Sequence, residues 1–135
     1  ALMLGAVGVQ CGTVFLCATE CAVHETYKQK IIKAGDIDTV VTGKRLNPAV
    51  RSLKTSFTRR YMQKEFDPAT SGDELEALGV GALRRAAVEG DEENGCFLAG
   101  QAAAMVHCVQ PAEAIITQMF AEAETLLAGA PKWVK

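Results

Sequence analysis

The chain opens with short apolar runs and then changes to apolar residues at helical spacing, and that change predicts where its elements lie. Ala1-Leu2-Met3-Leu4 followed by Gly5 reads as the last turn of a helix stopped by glycine. Ala6-Val7-Gly8-Val9-Gln10 reads as a short buried strand, Cys11-Gly12-Thr13 as a tight turn, and Val14-Phe15-Leu16 as the start of a helix or extended piece reaching Ala18. A strand, glycine turn and helix start expose backbone N–H groups where an anion can sit, although the same pattern also serves as an ordinary turn. From Glu20 to Ala34, residues Ala22, Val23, Tyr27, Ile31 and Ala34 recur at helical spacing. Lys28, Lys30 and Lys33 take the opposite face, and Gly35 supplies the stop.

Further along, Asp38–Thr42 is β-branched and short, a small strand or extended crossing closed by Gly43. Asn47-Pro48 predicts a helix start, with Val50, Leu53, Phe57 and Tyr61 inward and Arg51, Lys54, Arg59, Arg60 and Lys64 outward. The run DPATSGD (Asp67–Asp73) is a loop, with Asp73 placed to cap a helix from Glu74 that Gly79 and Gly81 weaken. Leu83–Val88 resumes helical spacing until Gly90, Asp91–Gly95 is a turn, and the small-residue run Cys96–Val106 suits a tightly packed helix. Gln110-Pro111 opens a last helix whose Ile115, Ile116, Met119, Phe120, Ala123, Leu126 and Leu127 form a wide apolar stripe. The tail Gly129–Lys135 frays, with Trp133 placed to dock back. The sum is five or six helices and one or two strands, without internal repeats. A single buried strand has no partners for its backbone groups, and the chain begins inside an apolar pattern without an initiator methionine. Both features lead us to expect the carboxy-terminal part of a larger protein.

Composition changes this picture only at the margins. With 49% hydrophobic and 22% charged residues the chain is globular, and its length allows one domain. A net charge of −2 excludes a strong global attraction to nucleic acid, and Ala1–Leu16 is neither a membrane span nor a signal peptide. Charge is segregated: ten of the 14 Lys and Arg lie between Lys28 and Lys64, and nine of the 16 acids between Glu65 and Glu93. Two solvated faces that attract each other would produce this, as would a basic surface for an anionic partner. Cys11, Cys17, Cys21, Cys96 and Cys108 lack metal-ligand spacing, so no metal site is expected. Reduced thiols in a cytoplasmic protein are the expectation. His24 reads as an exposed helix-start residue and His107 as a polar residue at a helix end, so neither is assigned to catalysis.

Several stretches, in order, carry a resemblance: LGAVGVQCGTVF, YKQKIIKA, DTVVTG, NPAVRSLKTSFTRRY, GALRRAAVEGDEENGCFLAGQ and the closing amphipathic helix. Together they cover nearly the whole chain. They resemble the flavin-dependent enoyl-acyl carrier protein reductases of class II and the closely related nitronate monooxygenases (2-nitropropane dioxygenases). The resemblance implies an α/β fold, the carboxy-terminal part of an FMN-binding TIM (β/α)8 barrel. Residues 1–20 would be the last strand (Val7–Gln10) and the phosphate-binding turn, and residues 21–135 a helical part covering the barrel. Gln10, Cys11, Gly12 and Thr13 would hold the phosphate of FMN, as phosphate sites of such barrels lie at the last βα loops. Cys11 would act through its backbone alone. Cys96, Ala99, Gly100 and Gln101 would help shape a substrate pocket or pack a helix on the barrel mouth. Arg51 and the basic segment would face NAD(P)H phosphates, an acidic carrier, or solvent. The catalytic residue would belong to the amino-terminal barrel portion, which is also the expected partner; a homodimer is left open. The implied activity is FMN- and NAD(P)H-dependent reduction of the enoyl thioester double bond in fatty acid synthesis, on an acyl carrier protein-linked or small-molecule substrate. Oxidation of alkyl nitronates and a non-catalytic helical binding module are the alternatives.

Overall fold

The computed structural model describes residues 1–45 and 49–130. Its framework is an antiparallel pair, β1 (Thr39–Thr42) and β2 (Val50–Leu53), in which Thr39 faces Leu53 and Thr42 faces Val50. A third, extended run lies along β2, where Leu53 N donates to Phe97 O (2.8 Å) and Ala99 N to Arg51 O (3.3 Å). This run was expected to be helical. Its side chains instead alternate between two cores, which is the period of a strand. Phe97 and Ala99 enter one cluster with Cys17, Tyr27, Ile31, Leu53, Ala86, Ala103 and Val106. Cys96 and Leu98 enter the other, with Phe57, Tyr61, Leu75 and Ala82. An apolar run buried on both faces shows no alternation of polarity, so periodicity could not separate it from a buried helix. Only Gln101–Met105 of this stretch is helical, as a 3₁₀ turn.

The helices follow in order: α1 (Thr13–Leu16), α2 (Glu25–Ile32), α3 (Ser56–Glu65), α4 (Gly72–Gly79), α5 (Ala82–Arg84) continuing as a π turn (Arg85–Glu89), and α6 (Ala112–Gly129). Three of the expected starts shift to better caps. His24 rather than Glu20 begins α2, accepting Thr26 N at Nδ1 (3.2 Å), and is exposed as expected. Thr55 and Thr58 form a reciprocal capping box on α3, and Ser71 with Glu74 forms another on α4 in place of Asp73. Asn47 and Pro48 lie outside the described residues, as does Trp133, but the helix expected from them does not include Val50–Leu53, which pair with β1. Pairing with the β-branched β1 on one edge and with the extended run on the other outweighs the helical spacing of Val50, Leu53, Phe57 and Tyr61. Arg51 accordingly sits on β2, its guanidinium donating to Thr39 Oγ1 (3.0 Å).

Lys28 departs furthest from its expected place. It was placed on the solvated face of its helix, yet is only 6% exposed, with Nζ donating to Ala18 O (2.7 Å). Glu65 is also buried; its carboxylate accepts Gly43 N (3.2 Å) and Arg45 N (3.0 Å), closing the β1–β2 connection onto α3. The expected opening strand, Val7–Gln10, makes no strand pairing among the described residues, and Val7 and Val9 are exposed. Burial and pairing of a strand depend on neighbours, and none lies beside it here. The turn ended by Gly5 is present as a 3₁₀ turn over Leu2–Leu4, with Gly5 left-handed at φ 90°.

Two contacts join the ends of the chain. Ala18 and Gln110 form a parallel bridge, Thr19 N donating to Gln110 O (3.1 Å). The Glu20 carboxylate accepts Ala112 N (3.0 Å), satisfying an orphan donor at the start of α6, whose cap residue Pro111 has no side chain to do so. On α6 only Ile115 is buried, while Ile116, Phe120, Leu126 and Leu127 are exposed. No helix of the described residues is long and apolar enough to cross a membrane.

The hydrogen bond from Ala112 N, followed by those from the backbone of Glu20 itself and the Thr19 hydroxyl, holds the Glu20 carboxyl below the ordinary value of 4.5. A depressed folded-state value means that its contribution is fully present above about pH 4.5 and is lost as pH falls through the lowered value. Glu20→Gln should therefore reduce stability at neutral pH, and the difference from the parent should vanish in strong acid. Urea titrations from pH 7 down to pH 2 check this.

Gly90 ends the π turn at φ 65°, and a Cβ built there would strike the His24 ring. Left-handed backbone costs a non-glycine residue about 1–2 kcal/mol and overpacking about 1–3 more, so Gly90→Ala should destabilise by about 2–5 kcal/mol. In a His24→Ala background the increment should fall to the conformational share of about 1–2 kcal/mol. Denaturation of the four members of that cycle provides the measurement.

Candidate anion-binding groove

The turn before α1 and the end of the extended run come together. Gly12 is the N-terminal cap of α1, and Gly100 the cap of the 3₁₀ turn. Gly100 N donates to Thr13 Oγ1 at 2.8 Å, so two residues 87 apart in sequence clip one loop to the other. An accepting hydroxyl oxygen keeps its own proton free to donate elsewhere. Around the clip lies a groove of about 500 Å³ lined by Gln10, Cys11, Gly12, Thr13, Gly100 and Ala102 among others.

Backbone donors without acceptors gather at this groove. Among the described residues, the N–H groups of Gly12, Thr13 and Val14 have no protein partner, and neither do those of Gln101 and Ala102. The reason is local: the first N–H groups of any helical turn find no intrahelical acceptor, and two such turns start side by side here. Gly12 has no atom of the chain within 4 Å of the position its Cβ would take, and its φ of −110° suits any residue. Neither its conformation nor its packing calls for glycine, and the missing side chain leaves its backbone open to close approach. Much of the groove wall is apolar (Val14, Met105, Val106, Ile115, Met119) and Glu122 also lines it, so what fits a phosphate group is the set of unpaired N–H groups at Gly12 and Thr13, to which Thr13 can add a hydroxyl donor.

The other residues marked in the sequence divide between wall and interior. Ala99 is buried in the first core beside the clip, and Gln101 is exposed. Cys96 faces the second core, where burial raises its thiol above the ordinary value and the neighbouring Ser52 partly offsets this. Cys11 is exposed at the groove, as is Cys108, while Cys17 is buried and its thiol donates to Lys28 O (3.8 Å). All five cysteines are free, and no cluster among the described residues could hold a metal ion. His24 serves as a helix cap and does not line the groove.

Pattern reading missed the second tier behind these loops. Tyr27 OH donates to Leu98 O (2.7 Å) and Lys28 Nζ to Ala18 O, so α2 holds the backbone of both loops from behind. Burial raises the Tyr27 phenol far above its ordinary value, so it stays a donor. The adjacency of Tyr27 and Lys28 was visible, but only the fold shows where each reaches.

Comparison with known proteins shows the family of the chain. The profile of the nitronate monooxygenase family matches residues 1–122, and the chain belongs to that family. It is similar to the nitronate monooxygenase of Paraburkholderia phytofirmans, with 31% identity over 116 residues, covering 85% of this chain and 31% of that one. It is also similar to the solved structure of FabK from Thermotoga maritima, with a TM-score of 0.92 and 39% identity over 98% of this chain and 42% of that chain. A mutant of the same FabK gives a TM-score of 0.82 at 37% identity. The chain thus spans about a third of the curated relative and under half of the solved neighbour.

Proposed function

From membership of the nitronate monooxygenase family, we propose that this chain is the carboxy-terminal part of an FMN-binding (β/α)8-barrel oxidoreductase. The whole protein would reduce the double bond of an enoyl thioester at the expense of NAD(P)H. The observation that carries this reading is the likeness to FabK over nearly the entire chain, together with the donor-lined groove at the turn where such barrels hold phosphate. FMN supplies the redox chemistry when bound. This chain's share is to bind and orient. The N–H groups of Gly12 and Thr13 and the Thr13 hydroxyl would hold the phosphate, Gln10 and Cys11 would contribute backbone, and Ala99, Gly100 and Gln101 would form the adjoining wall. Cys96 bears on that wall only through the backbone it shares. No group of this chain is assigned as proton donor.

The amino-terminal barrel portion is the proposed partner. FabK is more than twice as long as the part matched here. The exposed face formed by residues 1–11 and α6, with a groove of about 620 Å³ lined by Leu2, Met3, Val7, Val9, Phe120 and Leu127 among others, is where that portion would pack. The thioester carrier, acyl carrier protein or a smaller group, would then meet the assembled mouth.

Oxidation of alkyl nitronates is the second reading, favoured by the family profile and the curated relative. Purified intact protein should consume NAD(P)H with a crotonyl thioester faster than it takes up oxygen with a nitronate; turnover of the nitronate alone refutes reductase activity. A stable chain of these 135 residues that binds an acidic partner and never acquires flavin absorbance would instead favour the binding module.

Gly12→Val tests the phosphate turn. Open space and a permitted φ leave folding stability within about 0.5 kcal/mol of the parent. The branched side chain blocks backbone approach, so FMN content after gel filtration should fall at least about tenfold, the loss expected of one or more charge-assisted hydrogen bonds. Unchanged flavin content would remove the assignment.

A further inference from the structure

We propose that Tyr27 and Lys28 are positioning residues that set the spacing between the two groups of free backbone donors, and thereby the preference for a phosphorylated over a dephosphorylated flavin. The inference rests on the FMN reading of the groove given above. Its geometry is a closed loop of hydrogen bonds. Thr13 and Gly100 are clipped at the groove surface (2.8 Å), and behind them α2 reaches one residue to each side. Tyr27 OH donates to Leu98 O and Lys28 Nζ to Ala18 O, both at 2.7 Å.

Two features argue that these contacts do more than fill space. Leu98 faces Ser52 as a pair whose neighbours, Phe97 O and Ala99 N, make the hydrogen bonds to β2. The carbonyl of Leu98 is therefore turned away from β2, and Tyr27 is its partner. Lys28 is the costlier device. A buried ammonium is normally paired with a carboxylate, yet among the described residues no acid lies within ion-pair distance of Lys28. Its charge is directed at a backbone carbonyl at the exit of α1, one short helix away from Gly12. Cys17 returns the contact by donating to Lys28 O, and Ala18 O also accepts Cys21 N (3.1 Å), so the exit of α1 is fixed from two sides. Tyr27 is itself locked edge-on against Phe97, centroids 5.0 Å apart. The two anchors are thus tied to one core, through which the donor groups they hold are linked.

The test uses the intact flavoprotein, stripped of flavin and titrated with FMN and with riboflavin by flavin fluorescence. The variants are Tyr27→Phe, Lys28→Met and Lys28→Arg, and the ³¹P resonance of bound FMN is recorded for each. The parent should prefer FMN. Tyr27→Phe and Lys28→Met should each cut that preference about tenfold, the order of one lost hydrogen bond, with riboflavin affinity within about twofold of the parent and the ³¹P resonance shifted. Lys28→Arg, which keeps a charged donor, should recover most of it. A parent that binds both flavins equally refutes the phosphate reading and this inference with it. A parent that prefers FMN, with variants that keep the ratio or lose both flavins in parallel, refutes the positioning role alone. Should Lys28→Met fail to fold, Tyr27→Phe, which deletes one oxygen, decides between these outcomes.

Discussion

The extended run Cys96–Ala99 is the constraint on which the rest of this structure depends. It is hydrogen-bonded to β2 on one edge, and its side chains go alternately into the two cores. Phe97 and Ala99 tie it to α2, whereas Cys96 and Leu98 tie it to α3 and α4. One misplaced residue would exchange the two sets and empty both cores, so the register is strongly fixed. The groove inherits that precision, because Gly100 is the next residue and its N–H makes the clip to Thr13. What holds the core in register also holds the donors in place.

Charge segregation resolves partly into contacts between the basic and acidic stretches. Lys30 pairs with Glu92 at 2.8 Å and lies over the Phe97 ring. Arg60 reaches the Glu93 carbonyl (2.9 Å) and Asn94 Oδ1 (2.8 Å). The turn they meet is stiffened by Asp91, whose carboxylate accepts the N–H groups of Glu93 and Asn94 and is held below its ordinary value mainly by Asn94. Exposed pairs of this kind contribute little each, about 0–1 kcal/mol, and their use is to fix the turn that feeds the extended run. The two oppositely charged faces read from the sequence are therefore in part a device for docking α2 and α3 onto residues 91–95.

Elements defined by local signals were legible in the sequence, and those defined by partners were not. The glycine stop at Gly5, the loop that opens at Asp67 (though its last two residues, expected in the loop to Asp73, begin α4), the turn that opens at Asp91, the strand at Thr39 and the helix after Pro111 all follow from residues within a few positions. Val50–Leu53 and Cys96–Ala99 are extended because of each other, across more than forty residues, and their own spacing imitates helix. Lys28 carried every sign of a solvated position; only its reach to the Ala18 carbonyl, a contact set by the fold, explains its burial. At the groove, the Gly12-Thr13 turn was visible as a donor-rich step, but its complement, the free donors after Gly100, came from a stretch expected to run inside a helix. The family resemblance placed both near a flavin without indicating that one hydroxyl joins them.

Exposure of the face around residues 1–11 completes the physical account. Leu4, Val7, Phe120 and Leu126 stay largely in contact with solvent, although the chain has enough apolar residues for two well-packed cores. Cys11 and Met119 line both the apolar groove and the donor-lined one, so the two surfaces share an edge. Covering the first with a packed body would therefore wall the second and lower its dielectric. Backbone N–H groups hold an anion weakly when water competes for them, and far more strongly once water is excluded. On the proposed reading, burial of the apolar face and affinity for a phosphate group would be one thermodynamic process, and the strength of the groove would be set by what lies against residues 1–11 as much as by Gly12 and Thr13.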